Sequence, residues 1–389
     1  MRRPALRVVL FLLVALTALV VAACSDGGDD DKVDAAPTAA ATTTQASASA
    51  PPEIELEGGT TRVVADAAVA DPEDGLFLPD DESPFEAGRI FNDNSPFNRP
   101  IAPDAPLHPE SDAFVAALLE RAKEGVVLAS TEWTIPAYLA RAGTPRVDVR
   151  LTAAWSPFER LLSVPIPDGA QPDPQDDGHL TLIDREGGWI YDLWQARLTK
   201  DGWETSWGNR ISLASTGLYP TGMSARGSGF SSLAGLIWPH ELAQGRIDHA
   251  LISSTLPNRA GVFVAPATES DGRSGDPSTL PEGARLQLDP TLDLESLALD
   301  PWQRTIAQAL QEYGMILADN GSASISFYLV NAQSFGDLTL PYEIEEGIGL
   351  LEAFPIERLR LLDYEEIVLD DNIVIVADES IYADPREVE

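Results

Sequence analysis

The sequence predicts a mainly β fold, a β-sandwich or jelly roll with few helices, and three observations lead there. Short β-rich runs dominate the body and are separated by clusters of Gly, Pro and Asp. Helical periodicity is confined to three stretches. A lone cysteine means that no disulfide supports the body, so packed apolar faces must hold it. The strand candidates are 146–152, 162–166, 179–183, 189–195, 247–253, 261–265, 284–288, 315–319 and 324–329. An α+β layout is the alternative.

The helices have start and stop signals. Ser111 reads as the cap of a helix over 112–123 that stops at Gly125. Asp300-Pro301 opens a stronger one, with Trp302, Ile306, Leu310 and Tyr313 on one face and Gly314 as its stop. A short helix follows Trp238-Pro239 and ends at Gly245. Asn320-Gly321, after an apolar strand, reads as a hairpin turn, because both residues accept positive φ. That turn leaves Asp319 unexplained.

The chain has 389 residues, 44% of them hydrophobic, and a net charge of −36. Much of the acidic excess lies outside 88–340, the predicted β-rich domain; residues 341–389, read as an acidic appendage, hold 15 acidic against 3 basic residues. Such a surface repels nucleic acid and anionic lipid, which excludes both as partners. Residues 24–52 are rich in Ala, Thr, Ser and Asp and read as a disordered tether; 53–87 form an acidic lead-in.

Arg2, Arg3 and Arg7 precede an apolar run from Val8 to Val21 that ends in Ala22, Ala23 and Cys24. These are the parts of an export signal over residues 1–23. The apolar core is shorter than the roughly 20 residues that span a bilayer. Val21-Ala22-Ala23-Cys24 resembles the bacterial lipobox, which implies cleavage before Cys24, acylation of its thiol and a lipid anchor on the outer face of the cell membrane.

Two strands carry candidate chemistry. In 179–183, alternation places His179 and Thr181 opposite Leu180 and Leu182, so His179 faces a polar cleft or solvent, with Asp177 two residues earlier to orient it. In 189–195, Asp192 shares a face with Trp194, and Gln195 lies on the other. A carboxylate beside an indole suits sugar recognition, although tryptophans are more often core residues. His249 shares a face with Ile247 and Leu251, which favours a buried, hydrogen-bonded histidine.

Several familiar sites are absent. His240-Glu241 lacks the second histidine of a zincin helix. No GxSxG, SxxK or phosphate-binding GxxxxGK[ST] occurs. Asp173, Asp176 and Asp177 lack EF-hand spacing and read as a solvated acidic loop. No metal or cofactor is expected.

The run Asn92-Asp93-Asn94-Ser95-Pro96-Phe97-Asn98 is followed by Asp177-Gly178-His179, Tyr191-Asp192-Leu193-Trp194-Gln195-Ala196 and Gly245-Arg246-Ile247-Asp248-His249-Ala250. With Ala309-Leu310-Gln311-Glu312-Tyr313-Gly314-Met315-Ile316-Leu317-Ala318-Asp319-Asn320-Gly321, these resemble a widespread, functionally unassigned group of secreted bacterial proteins over residues 90 to 330. The resemblance implies common descent rather than a chemistry. Where those proteins often carry a histidine after Pro-Ala-Thr, this chain has Glu269, so a mechanism that needs that histidine does not carry over.

The expectation is a surface-anchored carbohydrate-active enzyme, a glycoside hydrolase or a polysaccharide lyase, acting on extracellular glycan. Asp177, His179, Asp192, His249 and Asp319 are its candidate catalytic residues, and Trp194, Gln195, Arg285 and Asn320 its candidate substrate contacts. A hydrolase would use two carboxylates. A lyase would use His179 or a tyrosine as base, with Arg285 neutralising a uronate. The alternative is a non-catalytic surface lipoprotein that binds glycan or a partner protein. Whether Asp177, His179 and Asp319 meet in one pocket separates the two.

Overall fold

Short apolar runs form the central strands, several of them buried on both faces, and their packing stacks the chain into layers. In chain order the elements are α1 (Ser111–Arg121), β1 (Val126–Ala129), β2 (Ala137–Ala140), β3 (Arg146–Leu151), β4 (Arg160–Pro165), β5 (Leu180–Asp184), β6 (Trp189–Trp194), β7 (Arg197–Thr199), β8 (Gly202–Thr205) and β9 (Trp207–Ser212). They continue with α2 (Pro239–Gln244), β10 (Leu251–Thr255), β11 (Val262–Val264), β12 (Arg285–Leu288), α3 (Pro301–Glu312), β13 (Met315–Asn320), β14 (Ile325–Tyr328), β15 (Ile348–Leu350), β16 (Leu359–Leu361) and β17 (Glu366–Val368). The computed structural model describes residues 76–369 apart from 81, 86, 87, 337, 339–347 and 351–353. The signal, Cys24, the tether and most of the lead-in lie outside the described residues, as does everything after 369.

The fold is mainly β. A seven-stranded sheet has the order β15-β1-β14-β10-β13-β12-β16, and two four-stranded sheets have the orders β2-β5-β6-β9 and β4-β3-β8-β7. The sheets are mixed: β1–β14, β10–β13, β2–β5 and β3–β8 are parallel pairs. One face of the seven-stranded sheet, with Leu128, Leu251, Leu317 and Phe327, packs under α1 and α3 through Phe114, Leu118, Ile306 and Leu310. Its other face, with Ile252, Ile316 and Ala318, meets Ile183, Ile190 and Ile211 of the second sheet. The far side of that sheet, with Leu180, Leu182, Tyr191 and Leu193, covers Val149, Leu161 and Val164 of the third. Each fully buried aliphatic side chain contributes roughly 1.5–3 kcal/mol, which is what a disulfide-free body relies on.

The stronger helix is read correctly. Pro301 occupies its first turn, Gln303 reaches back to accept the Asp300 N–H at 2.9 Å, and Gly314 follows with φ 71°. The Ser111 cap is not formed. Ser111 starts α1, and its hydroxyl accepts the Leu361 N–H at 2.8 Å, tying the helix to β16.

Two further expectations are corrected. The Asn320-Gly321 hairpin does not form, because β10 lies between β13 and β14. Asn320 is the last residue of β13, and the Gly321 N–H bonds the Thr255 carbonyl of β10 at 3.0 Å. A side chain at Gly321 would meet Ser254 Oγ at 2.3 Å, so the glycine serves a close approach, not a turn. Nor are residues 341–389 a separate appendage throughout: β15 pairs with β1, β16 with β12 and β17 with β11. Among the described residues no helix is long and apolar enough to cross a membrane.

Candidate active site

The seven-stranded sheet is not covered evenly. Where β1, β10, β13 and β14 run side by side, a cavity of about 600 Å³ opens against the face that carries Val127, Ser254, Asp319 and Ser326. Asp177, His179 and Arg226 enter it from the loops of the other layers. Tyr328, at the end of β14, Trp133 and Glu124 also line it.

The stretch Asp177-Gly178-His179 is held by backbone. Gln195 and Ala196 donate their N–H groups to the Asp177 and Gly178 carbonyls at 2.8 and 2.9 Å. A side chain at Gly178 (φ 45°) would lie 3.2 Å from the Gln195 Cα, so a glycine eases both the positive φ and the close approach of the two segments. Trp194 donates its indole Nε1–H to Asp177 Oδ1 at 3.3 Å. The ring Nδ1 of His179 is buried without a hydrogen-bond partner. Burial, then the Arg226 charge, pulls His179 down to about 4, against the upward pull of Asp177 and the Leu193 backbone, so it is neutral at physiological pH.

Asp319 ends the apolar run of β13 opposite Ser254 of β10; its carbonyl accepts Asn258 Nδ2 at 2.6 Å, and a carboxylate oxygen accepts the Asn320 N–H at 2.9 Å. Burial raises it to about 7, with Asp271 and Asp177 adding to the rise and Arg226 opposing it. Tyr328 is pushed up to about 12 by burial and by Asp319; its hydroxyl donates to Ser254 Oγ.

Arg226 is 5% exposed. Its Nη2 donates to the Ser232 carbonyl at 3.3 Å, its guanidinium carbon lies 5.8 Å from the centre of the Tyr328 ring, and its Nε has no partner. Among the described residues no carboxylate lies within ion-pair distance of it. Trp133, in contrast, is 44% exposed and has φ 56°. A bulky residue in that region costs about 1–3 kcal/mol and persists only when its surroundings hold it. Asp173 supplies the hold, accepting backbone N–H groups from Gln175, Thr134 and Trp133, while Asn331 Nδ2 bridges the Asp173 carboxylate (3.2 Å) and the Thr131 carbonyl (3.0 Å). Asp173 is therefore not part of a solvated acidic loop. It is buried, and burial raises it to about 6.

Below the cavity, Asp271, Glu282 and Asp319 each offer an oxygen within 4.8 Å of the others. Of the described residues these could hold a metal, and an all-oxygen set suits a hard cation such as Ca²⁺ or Mg²⁺. The chain has a relief of its own. Burial, then repulsion from Asp319 and Asp271, raises Glu282 well above the carboxylate range and favours its protonated form.

The cavity thus gathers four of the residues singled out in the sequence: Asp177, His179, Asp319 and Asn320. Trp194 stands behind them, through Asp177. The others lie elsewhere. Asp192 is fully buried between two sheets and accepts Thr181 Oγ1 (3.0 Å), Tyr219 Oη (3.0 Å), Ser231 Oγ (2.8 Å) and the Ser232 N–H (3.1 Å). His249 is buried, with Nδ1 3.0 Å from the Ala250 carbonyl and Nε2 3.0 Å from Glu241; burial lowers it, but Glu241 prevails and it is raised. Gln195 accepts from the Ser206 hydroxyl at 2.6 Å. Arg285 donates to the Tyr313 and Arg99 carbonyls, and burial lowers it to about 10.

Arg226, Trp133 and Tyr328 escape the sequence reading. Arg226 and Trp133 lie in loops without periodicity, and Tyr328 lies in a strand whose wet face is hidden from alternation alone. Glu269, standing where the resembling proteins often carry a histidine, accepts the Gly222 N–H at 2.8 Å and is raised to about 7 by burial. The chain matches no family model, no curated protein and no solved structure.

Proposed function

We propose that this chain is an extracytoplasmic enzyme that cleaves glycan, held at the membrane by lipid on Cys24, with the cavity on the seven-stranded sheet as its active site. One observation carries the reading: Asp177, His179 and Asp319 line a single cavity whose wall also bears the exposed ring of Trp133. A flat indole suits the apolar face of a sugar ring. Asn320, Ser322 and Ser324 add the amide and hydroxyl groups that a hydroxyl-rich ligand requires. Asp319 and His179 favour opposite protonation states near neutral pH, as an acid and a base must.

The lipid anchor rests on the sequence around Cys24, and the acidic surface argues against nucleic acid as the partner. The test is incubation of the purified full-length protein, in detergent, with a panel of neutral and acidic polysaccharides, followed by chromatography of the products. Release of oligosaccharides that Asp319→Asn strongly reduces supports an enzyme. Saturable binding of a glycan without cleavage favours the non-catalytic module and overturns the proposal.

A further inference from the structure

Arg226 is the least explained group in the cavity. A buried cation costs several kcal/mol unless a charge or good hydrogen bonds compensate it. Its side chain makes one hydrogen bond, to a carbonyl at 3.3 Å, and no ion pair among the described residues. Its loop is built to hold it there. The Arg226 N–H bonds Ser224 Oγ at 2.9 Å, its carbonyl accepts the Gly229 N–H at 3.1 Å, and Ser224 Oγ donates to the Phe230 carbonyl at 2.7 Å. A planar guanidinium presented in this way is a receptor for a carboxylate.

Resting on the glycan-cleaving reading, we propose that the substrate is a uronate-containing polysaccharide whose carboxylate binds Arg226, and that the bond is broken by β-elimination. The carboxylate lies beside the C5–H bond of its own ring, so neutralising it stabilises the enolate-like state formed when that proton leaves. The neutral imidazole of His179, with Nδ1 unpartnered, takes the C5 proton. The C5–H electron pair becomes the C4–C5 double bond as the C4–O bond breaks. The departing oxygen takes the proton of the Tyr328 hydroxyl, which regains one from His179 through solvent. No water is consumed and nothing is oxidised.

The net charge of −36 opposes the approach of any polyanion, a uronate polymer included, and Arg226 has to outweigh it at contact. At physiological ionic strength, exposed charges are largely screened beyond about 8 Å, so the field inside the cavity decides.

The main experiment uses unaltered full-length protein, so that the fold of a variant at the buried Arg226 does not enter the result. The probes are polygalacturonate, alginate and hyaluronan, their carboxyl-reduced counterparts, and neutral glucans and xylans, all in ¹⁸O-water. The expected result is an ultraviolet-absorbing unsaturated end, free of ¹⁸O, from at least one uronate polymer and from none of the reduced ones. Cleavage that incorporates ¹⁸O, or equal cleavage of a reduced polymer, overturns the elimination while leaving a glycan-cleaving enzyme. Absence of cleavage across the whole panel overturns both. Arg226→Lys, checked for an unchanged unfolding midpoint, is expected to raise KM for the uronate polymer at least tenfold.

Discussion

The indole N–H of Trp194 reaches Asp177 Oδ1 at 3.3 Å, so a tryptophan that the strand pattern suggests as a sugar platform acts instead on a cavity carboxylate. Hydrogen bonds to charged groups contribute about 1.5–3 kcal/mol. Trp194→Phe keeps an aromatic ring against the core between the second sheet and the seven-stranded one and removes the indole donor. The expected outcome is a loss in kcat/KM of roughly tenfold to a hundredfold on the cleaved glycan, with little change in the unfolding midpoint. Kinetics and thermal unfolding of the same preparation check it, and an unchanged kcat/KM would show that Asp177 needs no such support.

Asp192 answers to the opposite expectation. Four donors converge on its carboxylate between two sheets, and none of the cavity wall belongs to it. Asp192→Ala strands those donors in the core and should destabilise the protein by about 3–5 kcal/mol. Denaturant titration reads this directly. A midpoint within experimental error of the parent would mean that the network contributes nothing.

Activity should depend on pH through two groups that line the cavity. His179 must be free of its proton, which burial ensures above about 4, and Asp319 must keep its own, which burial ensures below about 7. Substrate cleavage is therefore expected to rise through the lower value and fall through the upper one. Asp319→Asn, if it retains residual activity, should lose the upper limb alone. A profile that stays flat to pH 9 would remove Asp319 from the chemistry.

Stability should depend on pH through Glu269, which sits apart from that wall. Its folded value of about 7 exceeds its ordinary 4.5. Between the two the folded state binds more protons than the unfolded one, so stability falls as pH rises through that window. Glu269→Gln removes the titrating group. It is expected to gain on the order of 1–3 kcal/mol over the parent at pH 8 and nothing at pH 4.5. Parallel stability curves for the two proteins would contradict this.

Much of the fold is legible in the sequence, because the strands that alternate or run apolar between Gly and Pro clusters are local signals. β3, β6 and β13 fall within a residue or two of their predicted ranges. Sheet order is not local: the Asn320-Gly321 signal says nothing about β10, which lies between its two strands. The face argument fails at β6 for a related reason. Both faces of that strand are buried, so the face shared by Asp192 and Trp194 turns toward another sheet rather than toward water. His179, Asp177 and Asp319 are legible as polar groups next to apolar strands. Arg226 and Trp133 are not, because a loop is positioned by what it packs on, and that is written elsewhere in the chain.

The floor of the cavity joins β1 to β14, nearly two hundred positions later, with β10 and β13 from between them. No fragment that lacks either end of the stretch from Glu124 to Tyr328 contains it whole. During synthesis the N-terminal half emerges with β1 unpaired to β14, and the loop closure that brings them together is entropically slow. The site therefore comes into existence only with the last part of the body, and a ligand held there would stabilise the completed protein and none of its precursors.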